Sequence, residues 1–417
     1  MASRERVSVA IVGAGAAGLM AAIHAGRISE EGTGPIVAFD SAVKIGAKIL
    51  VAGGGRCNVT HHEVLPEDYA GSSRNAIRKV LRAYPVDAVV DFFAAEGVQL
   101  KREETGKLFP VTDKARTVLD ALLQSVESEG VELRHPVRVE SIERTPEGFD
   151  IEGAGVAVLA DRVILCTGGK ALPKTGSDGF GLELVQRLGH SVTPAIHPAL
   201  VPLLLPDGDP ICDLSGIATP VTLSVRSGTG RSIAAYSAPL LCTHFGVSGP
   251  VVLDASRHLL AARAAGDSAE AFVDWLPEED RDAFERSMLA ASGQATCQGM
   301  LRGRFPERLL RMLLLAGGVE ATDRVRTLTR VRRLEFLEVL FNHRIEVVGD
   351  RGYTFAEATA GGVPLSEVRL DSMESRIVPG LHLAGEICDV DGRVGGFNFQ
   401  WAWASGFLAG RAAGRGE

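Results

Sequence analysis

The stretch Val7-Ser-Val-Ala-Ile-Val-Gly13-Ala-Gly15-Ala-Ala-Gly18 decides the fold. An apolar, β-branched run abuts a Gly-x-Gly-x-x-Gly turn and an alanine-rich segment, which reads as a strand, a phosphate turn and a helix start. Gly13 lets the chain turn tightly, Gly15 leaves room for a pyrophosphate to approach the backbone, and Gly18 lets the helix pack closely on the strand. The helix N-terminus adds free N–H groups and a partial positive charge. Such a turn also occurs in ordinary βαβ units. The segment Pro35-Ile-Val-Ala-Phe-Asp40 favours the dinucleotide reading, because it is a second strand ending in an acid about where a ribose-binding carboxylate stands.

The chain has 417 residues, enough for two or three domains of roughly 100–200 residues each. A hydrophobic fraction of 46% with 23% charged residues describes a well-packed globular protein rather than a disordered one. The formal net charge of −8 argues against nonspecific nucleic-acid binding over the whole surface, while leaving room for a local basic patch. Arg4 and Arg6 ahead of the apolar residues 7–23 mimic a signal peptide or anchor, but the glycine spacing favours the nucleotide turn. No other apolar run approaches the ~20 residues that a spanning helix needs, so no membrane association is expected. Cys57, Cys166, Cys212, Cys242, Cys297 and Cys388 form no C-x-x-C pair, which suggests a reducing cytoplasmic location and no metal site.

After Asp40 comes a glycine-dense loop, Lys44 to Thr60, containing Gly53-Gly-Gly-Arg56-Cys57-Asn58-Val-Thr60. Helical spacing runs from about Ser73 to Gln99 with a break at Pro85, and again from Thr117 to Glu129. Two β-patterned runs, Val131–Ile142 and Phe149–Leu159, precede the continuous apolar strand that ends in Cys166-Thr167-Gly168-Gly169. That end is expected beside the first glycine turn. Prolines 194, 198, 202, 206 and 210 mark a boundary near residue 190, followed by short β-rich pieces. From about 256 to 342 the chain becomes helical and arginine-rich, and after Gly361 the style of the first domain returns. The expected architecture is an α/β fold: a discontinuous Rossmann-like domain (1–190 and 350–417), an inserted β-barrel-like domain (191–255 and 325–349) and a small helical insertion (256–324).

The C-terminal segment is the second strong signal. A short strand, Leu381–Ala384, runs into Gly385-Glu386, and Gly395-Gly396-Phe397-Asn398 opens a helix to about Arg411. In flavoproteins of this architecture an acid after the last strand meets ribityl or phosphate groups. The final helix points its N-terminus at the flavin pyrimidine, where negative charge develops on reduction.

These pieces resemble one family, the FAD-dependent, NAD(P)-linked oxidoreductases that include aminoacetone oxidases and bile-acid-reductase-like proteins. The resemblance rests on Gly53–Thr60, Gly106-Lys-Leu-Phe-Pro-Val-Thr-Asp113-Lys-Ala, Thr167-Gly-Gly, Gly176-Ser-Asp-Gly-Phe-Gly181, Thr243-His-Phe-Gly-Val-Ser-Gly-Pro250, Gly361-Gly-Val, Met373-Glu-Ser and Gly395–Trp403. It spans essentially the whole chain in family order. It implies a tightly bound FAD held by Gly13, Gly15, Ala16, Ala17 and Gly18 at the pyrophosphate, Asp40 at the ribose and the Val139 backbone at the adenine. Lys48, Gly385 and Glu386 belong to the same binding set. Arg56, Cys57, Asn58 and Thr60 would line the flavin, with Thr167, Gly168 and Gly169 nearby and Gly396, Phe397 and Asn398 at the pyrimidine edge. Two departures concern the adenosine end: Asp40 stands where the family usually has Glu, and Ala47 where an Arg commonly precedes the lysine.

The implied chemistry is two-electron transfer at flavin N5, either NAD(P)H-linked reduction of an activated C=C bond or oxidation of a small amine or amino ketone. Only one dinucleotide fingerprint is present, so a nicotinamide donor would visit the substrate face. Cys57 and His244 are the candidate proton donors; the competing readings are a small residue packed under the ring and a backbone-bonded turn histidine. His61 and His62 are either site residues or solvated. Asp389 and Asp391 lack a third ligand for a metal, and Trp401 and Trp403 are expected to pack rather than stack on substrate. The arginines of 302–344 form a solvated helical face or a docking patch for a phosphate-bearing partner such as NADPH or RNA. That leaves a flavin-dependent reductase of uracil in structured ribosomal RNA and a non-enzymatic redox sensor as alternatives to a small-molecule enzyme.

Overall fold

A computed structural model describes residues 4–30 and 34–416. The chain divides into two compact units, residues 1–198 with 357–417, and residues 199–356.

In the first unit the strand β1 (Glu5–Val12) leads through the glycine turn into α1 (Ala16–Ile28) and back to β2 (Ile36–Phe39). The run 131–142, read as one strand, is interrupted by a cis His135–Pro136 bond and yields β3 (Glu132–Arg134) and β4 (Val139–Thr145). Then come β5 (Gly148–Gly153), β6 (Val156–Leu165) and, from the far end of the chain, β7 (Leu381–Leu383). The sheet order is β3-β2-β1-β6-β5-β4, with β7 also on β6. The long β6 serves two purposes. Its first half pairs antiparallel with β5, and its second half lies parallel between β1 and β7. Parallel strands buried on both faces account for its continuous apolar sequence.

The last helix, α2 (Phe397–Arg415), packs along α1 through a stripe of small residues. A Cβ added at Gly406, Gly410 or Gly414 would lie 2.4, 2.3 or 2.7 Å from the carbonyl oxygen of Ala17, Ala21 or Ala25. Glycines every four residues against alanines every four residues bring the two backbones together, so the chain termini share one core.

The second unit is built on a seven-stranded antiparallel sheet that begins at His343–Ile345 and ends at Gly349–Asp350. Laid flat, seven strands would separate those two by about 29 Å. The chain passes from Ile345 to Gly349 in a few residues, a reach of about 14 Å. The sheet therefore curls, which gives the barrel-like form. The segment 256–324, expected as a helical insertion, contains the strand Glu270–Asp274 inside this sheet. Its helices share one hydrophobic core with the strands, Phe284, Met288 and Leu313 lying with Val221, Leu223 and Val273.

Candidate functional site

Steric necessity shapes the first turn. Gly13 has φ +97°, and a Cβ there would sit 2.5 Å from the Cys166 carbonyl oxygen. At Gly18 a Cβ would sit 1.8 Å from the Gly13 oxygen. Gly15 is different. A Cβ there meets nothing within 4 Å, and as the N-cap of α1 it leaves the helix without a side-chain cap. The turn thus offers first-turn N–H groups, around Ala16 and Ala17, beside open space. Asp40 ends the second strand as expected, but both its oxygens are already engaged. Oδ2 accepts from the Ala14 N–H at 2.7 Å and Oδ1 from the Ala42 N–H at 2.7 Å. A carboxylate has about four acceptor directions, so capacity for a ribose remains. The Val137 N–H donates to the Asp40 carbonyl, which brings the approach to Val139 against the same strand end.

The second turn forms where the helix from Ala47 breaks. Gly53, Gly54 and Gly55 have φ of +58°, +69° and +85°, and Cys57, which carries a Cβ, is held at +61°. Strained non-glycine backbone of this kind concentrates at functional sites. Cys57 is fully buried, and burial pushes its thiol up to about 12, so it stays protonated. Asn58 is 7% exposed, and its Oδ1 has no hydrogen-bond partner among the described residues. Arg56 turns to surface carboxylates: its guanidinium pairs with Glu103 at 2.6 Å and lies over the Phe109 ring at 4.0 Å.

Residues far away in sequence lock this loop. The Thr60 hydroxyl donates to Gln400 Oε1 at 2.7 Å, and the Gln400 amide nitrogen donates to the Tyr84 carbonyl. Trp403 Nε1 donates to the Val59 carbonyl and Trp401 Nε1 to the Gly385 carbonyl, so both tryptophans pack and anchor backbone. A Cβ at Gly396 would sit 2.6 Å from the Thr60 carbonyl carbon. Phe397 stacks on His61 at 5.0 Å, and each ring nitrogen of that histidine contacts a backbone carbonyl, of Glu63 or of Thr105. Asn398 spans both polar groups of Gly392, its Oδ1 accepting from the N–H and its Nδ2 donating to the carbonyl. At the other strand ends, Glu386 accepts from Lys48 Nζ at 2.8 Å and from the Thr359 N–H at 2.9 Å. Gly168 has φ +73°, a Cβ at Gly169 would crowd the Thr359 hydroxyl, and the Thr167 hydroxyl is buried without a hydrogen-bond partner among the described residues.

Most of the expected residues are therefore in one unit and joined by direct contacts. Thr359, Gln400 and Ser405, whose hydroxyl accepts from the Gly385 N–H, were not anticipated. Their partners are remote, and nothing local marks them. His244 lies in the second unit, exposed in a turn, edge-on to Phe245 at 5.1 Å. Among the described residues no helix is long and apolar enough to cross a membrane.

The model of the HI0933-like protein Rossmann domain matches residues 7–412. The chain belongs to this family. It is 34% identical over 408 residues to a 3-dehydro-bile acid delta(4,6)-reductase of Clostridium scindens, covering 97% of this chain and 98% of that protein. It is 30% identical over 403 residues to a ribosomal RNA dihydrouridine synthase of Escherichia coli, covering 96% of each. The fold is also that of an E. coli quinol fumarate reductase, with TM-score 0.53 at 16% identity over 99% of this chain and 70% of the other. A 3-ketosteroid-delta4-(5alpha)-dehydrogenase from Rhodococcus jostii RHA1 gives 0.52 at 16% identity, over 99% and 98%. This HI0933-like chain is an FAD-dependent oxidoreductase. The residues fit that cofactor: the uncapped helix beside open space at Gly15 suits a pyrophosphate, and the orphaned buried oxygens of Asn58 and Thr167 suit a polar ring system.

Proposed function

We propose that this HI0933-like protein reduces a C=C bond conjugated to a carbonyl in a small molecule, with NAD(P)H as electron donor. The observation that carries the reading is the full-length relationship to a delta(4,6)-reductase and to dihydrouridine synthases, names that both denote saturation of such a bond. The unit of residues 1–198 and 357–417, close to the expected 1–190 and 350–417, would hold FAD, and the unit 199–356, in which the segments expected as separate β and helical insertions share one core, would supply substrate selectivity. When bound, FAD supplies hydride transfer at N5. Gly13, Gly15, Ala16, Ala17 and Gly18 receive the pyrophosphate, with Asp40 and Val139 at the adenosine. Lys48 and Glu386, fixed on each other, orient the middle of the cofactor. Asn58, through its unsatisfied Oδ1, and Thr167, Gly168 and Gly169 would line the ring. Gly396, Phe397 and Asn398 present the N-terminus of α2, which favours negative charge.

The reduced carbon needs a proton as well as a hydride. Cys57 is a thiol that remains protonated, and His244 is the second candidate.

The test is anaerobic mixing of the FAD-loaded protein with NADPH and NADH, then with a conjugated enone or with aminoacetone. Bleaching by the nicotinamide and recovery of colour with the enone support the reading. Bleaching by the amine alone moves the activity to oxidation.

The relationship to the RNA enzymes favours a second reading, uracil in structured RNA as substrate. Of the arginines in 302–344, Arg308 donates to the Asp213 carbonyl and Arg311 pairs with Glu307. Arg304, Arg332, Arg333 and Arg344 are also paired with carboxylates. Arg302, Arg324, Arg326 and Arg330 are exposed and have no ion pair among the described residues, so they would be the docking cations. RNA retention at low salt that survives their joint change to glutamate removes this role from them.

A further inference from the structure

Lys107 opens the strand Lys107–Pro110, where alternate residues share a face, so Lys107 and Phe109 lie on the same side. The turns at Gly53 and at Gly395 rest on that side. A Cβ at Gly53 would come 2.8 Å from Phe109 Cε1, and a Cβ at Gly395 would come 3.6 Å from Lys107 Cε. Lys107 also stands opposite His61 in the strand pairing, and His61 stacks on Phe397 in the first turn of α2. Its side chain therefore lies beside Gly395, next to the N-cap Gly396 that leaves that helix without a side-chain cap.

Lys48, Lys79 and Lys101 each pair with a carboxylate; Lys44, Lys114 and Lys174 have no ion pair among the described residues but are exposed, whereas the Lys107 ammonium, equally without a partner there, belongs to a half-buried residue. A cation at a helix N-terminus is disfavoured by the helix dipole. Leaving it unneutralised there makes physical sense when negative charge arrives from elsewhere. The nine-tenths-buried Asn58, packed against Gly53 on the same face and with Oδ1 unsatisfied, independently marks the place as one completed by a ligand.

We propose that Lys107 balances the negative charge that FAD acquires on reduction and so raises the flavin's affinity for electrons. Hydride transfer from a nicotinamide delivers two electrons and one proton to N5. The oxidised nicotinamide leaves, and the flavin ring retains one negative charge on its pyrimidine side. Lys107 and the α2 N-terminus meet that charge. This inference rests on the FAD reading above.

The experiment measures the flavin midpoint potential of the FAD-loaded full chain by dye equilibration, for the parent and for Lys107→Met, Lys107→Arg and Lys107→Glu, with bound FAD counted from its absorbance. Lys107→Met is expected to retain FAD and to lower the reduced-to-oxidised ratio at fixed potential about tenfold, a shift of about 30 mV for a two-electron couple. Lys107→Glu moves further in the same direction, and Lys107→Arg stays within about twofold of the parent, an order that packing defects do not produce. If Lys107→Met does not fold, Lys107→Gln carries the same comparison. FAD bound normally with an unchanged potential in the neutral variants overturns the role of Lys107 alone. A parent chain that takes up no FAD overturns the cofactor reading with it.

Discussion

The turn at 13–18 and the turn at 53–60 use glycine in opposite ways. In the first, Gly13 and Gly18 answer neighbours within a few residues or on the adjacent strand, Gly18 against Gly13 and Gly13 against Cys166, while Gly15 faces open space. The geometry is complete once β1, α1 and β6 have formed. In the second, Gly54 has open space around it, and the loop is held by partners more than 300 residues away, Gln400 on Thr60 and Trp403 on Val59. One turn is self-contained and the other is a product of the closed fold, so they should fail differently.

The largest effect is expected at the self-contained turn. Gly18→Val places a side chain into the Gly13 carbonyl and should cost more than about 4 kcal/mol, seen as loss of the cooperative urea transition. A variant as stable as the parent would mean that the helix shifts to make room. The Trp403→Phe change removes the bond to the Val59 carbonyl and leaves that acceptor buried, at a cost of about 1–3 kcal/mol. The urea midpoint should fall, and bound FAD should be lost at lower denaturant than the global transition, since the 53–60 loop loosens first. Coincident transitions would remove the distinction between the turns.

Asp389 gives a smaller, pH-dependent effect. Its carboxyl is pushed up to about 6, first by burial and then by the neighbouring Asp391. A carboxyl whose folded-state value lies above its unfolded value of 3.8 favours folding in its protonated form. That contribution is fully present below pH 3.8 and is lost as pH rises through about 6. Asp389→Asn should therefore flatten the stability profile between pH 4 and 7, by about 1–2 kcal/mol given partial solvation. Parallel profiles of the two proteins would show that Asp389 keeps its charge throughout.

The smallest effect on stability is expected at Gly15→Ala, within about 0.5 kcal/mol, because nothing stands within 4 Å of the added carbon. The same change should weaken FAD binding at least tenfold by obstructing the approach of the pyrophosphate, measured by fluorescence titration. Unaltered affinity would place the phosphates elsewhere.

The two regions were not equally legible. Glycine spacing and the apolar strand announced the first turn, and the sharp motif Gly53–Thr60 announced the second as a loop of special backbone. The role of Arg56 was not legible, because its commitment to Glu103 depends on a hairpin that packs from elsewhere. Nor was the strand Glu270–Asp274, which local arginine-rich surroundings concealed and sheet pairing imposed. Asp40 was found at the right strand end, yet its two backbone donors, Ala14 and Ala42, appear only when the turn is folded.

By itself the sequence determined where the backbone must turn and which strands are buried, since those depend on sterics and hydrophobicity over a few residues. The tertiary structure alone decided that Gly406, Gly410 and Gly414 ride on Ala17, Ala21 and Ala25, that Gln400 and Trp403 fix the second turn, and that the Lys107 side chain, without an ion pair among the described residues, lies beside Gly395. Those are relations between atoms distant along the chain. Burial and hydrogen-bond satisfaction select them only after the two ends of the polypeptide have come together.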